Sequence, residues 1–324
     1  MSPDSPRRIL ITGGTGFFGR SILAARTAEG RPETELVILS RDPAGFLAAN
    51  PEFRDLPGVS YLAGDVRDFA FPAGEFSAVL HAATPATPAI PDAEAASIIL
   101  DGTRHVLDFC RGRGVGNLLF VSSGAVYGPM PPGLREMPET LPCHPVSVYG
   151  RSKLAAEQLS IDSGVASCKV ARCFAFVGEY LGLNLHFAIG NFIRDCLLGQ
   201  PINIQGDGSA VRSYLYSGDL VKQLWALLDR PEPRLTVNLG SDRAVSIREL
   251  AELVRRAAGT ANPITVAGKP DAYLATNFYV PDIKLARRLL ATGEPVSLEA
   301  ALERVIRFHR QMSANTHKIR SHQP

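Results

Sequence analysis

The chain has 324 residues, of which 45% are hydrophobic and 20% charged, and its formal net charge is +2. Such a chain can bury a sizeable core and suits a large globular domain with a smaller lobe. The charge is too small, and too scattered along the chain, for a nucleic-acid partner.

Residues 9–12 form a short apolar strand that runs into Gly13-Gly-Thr-Gly16-Phe17-Phe18-Gly19. No signal peptide or membrane span precedes it, so a cytoplasmic protein is expected. Gly13, Gly16 and Gly19 stand three apart, just before a helix expected from about Phe17. One glycine permits the tight turn, one lets backbone approach a pyrophosphate, and one lets helix and sheet pack closely. The helix N-terminus would face the phosphates, so a dinucleotide is the expected ligand.

A second strand, Leu36–Leu39, ends in Ser40-Arg41, where an NAD-binding chain would carry a carboxylate for the ribose. A hydroxyl followed by a guanidinium can hold a 2′-phosphate instead, which favours NADP(H). Asp42 keeps NAD(H) open, should the strand run longer. The third strand, Val59–Leu62, leads to Asp65-Val66, where Asp65 either accepts from the adenine amino group or caps the turn. The fourth runs into His81-Ala82-Ala83. Two alanines there leave room for cofactor backbone, and His81 reads as a wall of the site.

A helix over 91–113 and a fifth strand, Asn117–Ser123, come next. A helix over 151–160 and a sixth strand, Cys168–Phe174, complete the alternation expected of an α/β doubly wound parallel (Rossmann) sheet. Residues 1–175 are therefore expected to form mainly the dinucleotide-binding domain. Residues 176–312, with helices at 187–198, 217–229, 246–258 and 297–310, would form mainly a smaller C-terminal α/β substrate lobe. Val237–Gly240 would return to the main sheet, and 313–324 would be a flexible tail. The five cysteines lack ligand spacing and read as free thiols in a reducing compartment. Seven histidines (81, 105, 144, 186, 309, 317, 322) include no zinc motif, so no metal is expected.

The chemistry concentrates in three residues. Ser123 ends the fifth strand, and Tyr149 and Lys153 stand one helical turn apart. A phenol with a pKa near ~10 trades protons poorly at neutral pH, and a nearby ammonium would lower it. Lys153 can also hold the nicotinamide ribose, while Ser123 hydrogen-bonds the substrate oxygen.

With the glycine triplet, the Asp65 turn, His81-Ala-Ala83, Ser123, Tyr149-x-x-x-Lys153 and Arg212…Asp219, residues 9–310 resemble the extended short-chain dehydrogenase/reductase family. The resemblance implies a nucleotide-diphosphate sugar as substrate and a homodimer packed through helices 91–113 and 151–165. It also implies that Asn184 and Arg212 approach the diphosphate and that Gly124 and Asp219 contact substrate, although Asp219 could equally cap its helix. Arg243 and Tyr279 are weaker candidates for the base or sugar rim. The family's 4,6-dehydratases carry Thr-Asp-Glu where this chain has Ser123-Gly124-Ala125, which removes both carboxylates of that elimination. The expected activity is NADPH-dependent reduction of a nucleotide-linked 4-keto-6-deoxyhexose, with Tyr149 as proton donor. The alternative is an NAD-dependent nucleotide-sugar 4-epimerase. A third reading is a catalytically silent binding protein on the same fold, against which the intact Ser/Tyr/Lys set argues.

Overall fold

The computed structural model describes residues 7–26, 34–85, 90–184, 187–268 and 277–321. The N-terminal residues 1–6, His186 and His322, all weighed in the sequence, lie outside that set. In chain order the elements begin β1 (Arg8–Thr12), α1 (Phe17–Ala25), β2 (Glu35–Ser40), α2 (Pro43–Ala49), β3 (Val59–Ala63), β4 (Ala78–His81) and α3 (Asp92–Arg113). There follow β5 (Asn117–Ser123), α4 (Val148–Ile161), β6 (Ser167–Cys173), β7 (Phe176–Val177), α5 (Ala188–Leu197), β8 (Ile202–Ile204), β9 (Val211–Ser213) and β10 (Leu215–Tyr216). The chain closes with α6 (Ser217–Leu228), β11 (Arg234–Leu239), β12 (Ala244–Ser246), α7 (Ile247–Ala258), β13 (Ile264–Val266), β14 (Phe278–Tyr279), α8 (Lys284–Leu290) and α9 (Leu298–Ser321).

Seven strands form one parallel sheet in the order β11-β6-β5-β4-β1-β2-β3. Their sequences explain it. Ile9, Leu10 and Ile11 are all fully buried, as expected where helices cover both faces of a strand. Alternate residues divide between those faces. Ile9 and Ile11 pack with Ile22, Leu220 and Leu224 of α1 and α6, whereas Leu10 joins Val106, Leu107 and Phe109 of α3. The lobe has its own core, in which Phe192, Ile193, Leu250, Val254, Leu302 and Val305 bring together α5, α7 and α9. Its α7 is closed at the start by a capping box between Ser246 and Glu249.

The α/β parallel-sheet fold expected from the alternation is the fold observed, and β11 joins the main sheet beside β6. Two helix boundaries differ by more than one residue. Helix α4 starts at Val148, because the Ser147 hydroxyl accepts from Gly150 N at 3.0 Å. The terminal helix expected over 297–310 continues to Ser321.

A buried ion pair ties α4 to the sheet. The Glu157 carboxylate accepts from Arg172 Nη2 at 2.8 Å and from the Ser122 hydroxyl, with side chains 3% and 10% exposed for Glu157 and Arg172. Glu157→Ala would leave the guanidinium buried without its carboxylate, so a loss of about 3–5 kcal/mol is expected. A guanidinium-chloride unfolding midpoint unchanged from wild type would show that the pair contributes little.

Candidate active site

Each predicted residue on β1, β2, β4 and β5 lies at or just beyond a strand's C-terminal end, the edge at which open parallel sheets bind ligands. Gly13 follows β1 with φ +71°, and a Cβ built there would lie 2.5 Å from the Ala82 carbonyl oxygen. Only glycine fits that approach of the β1 and β4 ends. Gly16 then enters α1 in an extended conformation without a side-chain cap, so the first amides of the helix have no capping side chain. Phe17 and Phe18 pack edge to face with each other, and Phe18 does so with Phe176.

Behind this turn, His81 is buried and both ring nitrogens are engaged. Thr12 Oγ1 lies 2.6 Å from Nδ1, and Thr103 Oγ1 lies 3.0 Å from Nε2. The bonds around them assign the protons. The Thr103 hydroxyl donates to Ile99 O and must accept from Nε2–H, while Thr12 Oγ1 accepts from Ala83 N and donates to Nδ1. Burial, assisted by the charge of Lys153, pushes the imidazole down to about 3, so it stays neutral. His81 thus holds the Ala82-Ala83 backbone in place and exchanges no proton.

The adenosine end departs from expectation. Asp42 caps α2, its carboxylate accepting from Gly45 N at 2.9 Å, and so is committed to the helix. Ser40 is buried, and its hydroxyl accepts from Asp42 N at 3.3 Å; Arg41 is exposed. Asp65 pairs with Arg67 at 2.8 Å. That hydrogen bond holds its carboxyl below the usual range, with Arg41 among the charges that help. Asp65, just beyond β3, thus stands at the same sheet edge as the end of β2, with its carboxylate bound to Arg67. Val66 is buried against Gly102 of α3.

At the centre, Ser123 Oγ accepts from Ala125 N at 3.1 Å as the chain turns out of β5. Tyr149 sits in the first turn of α4, where burial pushes its phenol above the usual value and hydrogen bonds from Ser123 and Thr84 oppose the shift. Lys153 is buried; its ammonium donates to Val121 O at 2.9 Å and stands 5.0 Å from the centre of the Phe120 ring. Desolvation brings it down to about 8, against the pull of Cys173 and Glu157. The sheet backbone holds the Lys153 ammonium one helical turn from Tyr149, and the Ser123 and Thr84 hydroxyls oppose the upward shift of the phenol.

Two neighbours went unnoticed or undervalued in the sequence. Cys173, at the end of β6, is buried beside Lys153 and Tyr149. Tyr279, on β14, brings its hydroxyl over Gly124, next to Ser123, with its ring 4.8 Å from that of Phe174. No spacing in the chain announces either contact, because β14 arrives from the far end of the sequence. Arg212 has its guanidinium 5.9 Å from the Tyr279 ring centre and donates to Val211 O and Asn277 O. The other predicted substrate residues are dispersed. Asp219 is buried and bonds Lys222 and Val296 N, Asn184 is exposed on a turn, and Arg243 pairs with Glu299. Among the described residues no acidic, histidine or cysteine cluster could hold a metal, and no helix is long and apolar enough to cross a membrane.

A model of the NAD dependent epimerase/dehydratase family matches residues 9–240. The chain is 27% identical over 326 residues to UDP-glucuronic acid decarboxylase 1 of Xenopus tropicalis, covering 96% of this chain and 74% of that protein. It is 29% identical over 286 residues to UDP-glucose 4-epimerase of Streptomyces lividans, covering 80% and 84%. Among solved structures, UDP-glucuronic acid 4-epimerase of Bacillus cereus in complex with NAD superposes with a TM-score of 0.79 at 20% identity, covering 94% of this chain and 96% of that one. These similarities overturn two expectations. The relatives act on UDP-sugars as epimerases and decarboxylases, which displaces NADPH-dependent reduction of a 4-keto-6-deoxyhexose. Several solved relatives carry NAD, which displaces NADP(H). The strand end also lacks a built 2′-phosphate clasp: Ser40 is buried with its hydroxyl taken by Asp42 N, and Arg41 is exposed.

Proposed function

The chain belongs to the NAD dependent epimerase/dehydratase family, and from that membership we propose that it is a 4-epimerase of a UDP-linked sugar. The observation that carries this reading is the gathering of Ser123 at the end of β5 with Tyr149 and buried Lys153 on the first turns of α4, at the sheet edge reached by the glycine turn. The residues present fit NAD. Gly13 leaves a cradle that a Cβ would fill, the uncapped start of α1 suits a pyrophosphate, and Ser40, Asp65 and Arg41 stand toward the adenosine end. When bound, NAD supplies a hydride acceptor and later the matching donor.

Everything else is work for this chain's side chains. Tyr149 as phenolate takes the proton of the sugar's C4 hydroxyl, with Ser123 donating to the developing oxygen. After the keto-sugar presents its other face, Tyr149 returns the proton. Lys153 contributes positive charge next to the nicotinamide ribose. Gly124 and Ala125 supply no carboxylate, so an elimination that needs two has no donor or acceptor there. Arg212 is the residue proposed for the diphosphate, and a second copy packing through α3 and α4 belongs to the same reading.

The decarboxylase relatives favour a second reading, in which the same C4 oxidation turns a UDP-uronic acid into a β-keto acid that loses CO₂. One experiment separates the two. Purified protein is incubated with NAD and, separately, with UDP-glucose, UDP-N-acetylglucosamine and UDP-glucuronic acid, and products are read by NMR and mass. Interconversion of C4 epimers without net NADH formation is the expected result. Release of CO₂ with a UDP-pentose product would replace epimerisation by decarboxylation, and net consumption of cofactor would refute both.

A further inference from the structure

The buried face of α4 carries Lys153, Ala156, Glu157 and Ser160, so two ionisable side chains stand one helical turn apart against the sheet. Each is received there separately. The Lys153 ammonium donates to Val121 O at 2.9 Å and stands 5.0 Å from the centre of the Phe120 ring. The Glu157 carboxylate accepts from the hydroxyl of Ser122, the next residue of β5. It also accepts from Arg172, at 2.8 Å from Nη2 and 3.1 Å from Nε. Ser122 and Arg172 are partners in the register of β5 with β6, so they lie side by side under the helix. Arg172 is fixed in turn. Its guanidinium is 4.9 Å from the centre of the Tyr127 ring, and the Tyr127 hydroxyl donates to Asn238 at 2.7 Å. A lysine, a glutamate and an arginine therefore share one buried layer between α4 and the sheet.

The carbonyl that receives Lys153 is neutral, and a buried charge is costly unless an opposite one balances it. We propose that Glu157 is a positioning residue for the C4 chemistry: from one turn along α4 its carboxylate keeps the buried Lys153 ammonium protonated, while Ser122 and Arg172 hold that carboxylate in place. An apolar site pulls the proton off an ammonium, and a nearby carboxylate restores it. Both tendencies act here, since burial brings Lys153 down to about 8 and Cys173 and Glu157 oppose the fall. The charged and titratable groups facing Lys153 are Tyr149 and Glu157 on its own helix, Cys173 and Arg172 on β6, and His81 on β4. Burial raises the Tyr149 phenol, keeps the Cys173 thiol protonated and leaves His81 neutral. Glu157 is thus the carboxylate that faces Lys153 among the described residues. Without it two cations would share the layer, and Lys153 would be the one to lose its proton, because a guanidinium does not.

The inference rests on the proposed function for the use of that charge, beside the nicotinamide ribose, but its test needs neither sugar nor NAD. Protein labelled with ¹³C at lysine Cε is titrated by NMR, and the Lys153 signal is assigned by its loss in Lys153→Met. Glu157→Gln is expected to lower the midpoint by at least about one pH unit, the effect of a neighbouring opposite charge. Stability is read alongside, because an orphaned Arg172 weakens the fold. Glu157→Gln combined with Arg172→Met leaves neither charge unpaired, so it should unfold near wild type and still show a lowered midpoint. Glu157→Asp, whose shorter arm cannot span both Ser122 and Arg172, should lose stability and keep the wild-type midpoint. A clamp with no electrostatic role would make the midpoint follow stability instead. A wild-type midpoint in both Gln variants, or a shift in Glu157→Asp as large as in Glu157→Gln, would overturn the assignment and leave the pair as a fold clamp. Either result stands whatever the sugar assays return.

Discussion

Tyr149→Phe is expected to lower kcat by about 10²–10⁴-fold, the range that a positioned proton donor and acceptor contributes. The ring stays, so its packing against the Phe120 and Ala156 cluster survives. Only the hydroxyl proposed to exchange a proton with the sugar oxygen is removed. The measurement is a pair. Steady-state epimerisation reads the loss, and NAD binding by calorimetry shows whether the cofactor site has been spared. A variant retaining more than about a tenth of wild-type kcat would remove Tyr149 from the proton transfer. A large loss of NAD affinity alongside would assign the phenol to cofactor binding instead.

Gly13→Ala should damage the site from the other side. Its φ of +71° is strained for any L side chain, and the new methyl would fall 2.5 Å from Ala82 O and 2.8 Å from Ala83 N. Backbone at such positions costs about 1–3 kcal/mol when a side chain is forced on it. Relief requires the β1 and β4 ends to separate, which disturbs the Thr12–His81–Ala83 bonds that fix the loop. The expected outcome is at least a tenfold rise in Kd for NAD, equivalent to about 1.4 kcal/mol, with a lowered thermal midpoint. Unchanged NAD affinity would mean that the turn is only a structural corner.

The cofactor correction shows how a local motif misleads. Ser40-Arg41 is a faithful reading of one strand end, yet cofactor choice is set by every charge around the ribose. Asp65, 24 residues further on, is carried to the same sheet edge by the parallel pairing of β2 with β3, where its carboxylate is taken up by Arg67. For Lys153, helical spacing gives the turn it shares with Tyr149, and the packing of α4 on β5 adds the bond of its ammonium to Val121 O.

What the sequence determined by itself is whatever depends on neighbours in the chain. Apolar runs at Ile9–Ile11, Leu36–Leu39 and Leu118–Val121 call for doubly covered parallel strands. The glycine triplet fixes the turn between β1 and α1, and Ser123, Tyr149 and Lys153 stand out as the candidates for proton chemistry through residue type and spacing. Tertiary structure alone decided which groups surround those residues. The two threonines that clamp His81 come from β1 and α3, Tyr279 arrives on β14, and Cys173 sits at the end of β6. Hydrogen bonds and desolvation act over a few ångströms of space, and separation along the chain carries no information about that distance once strands distant in sequence lie side by side.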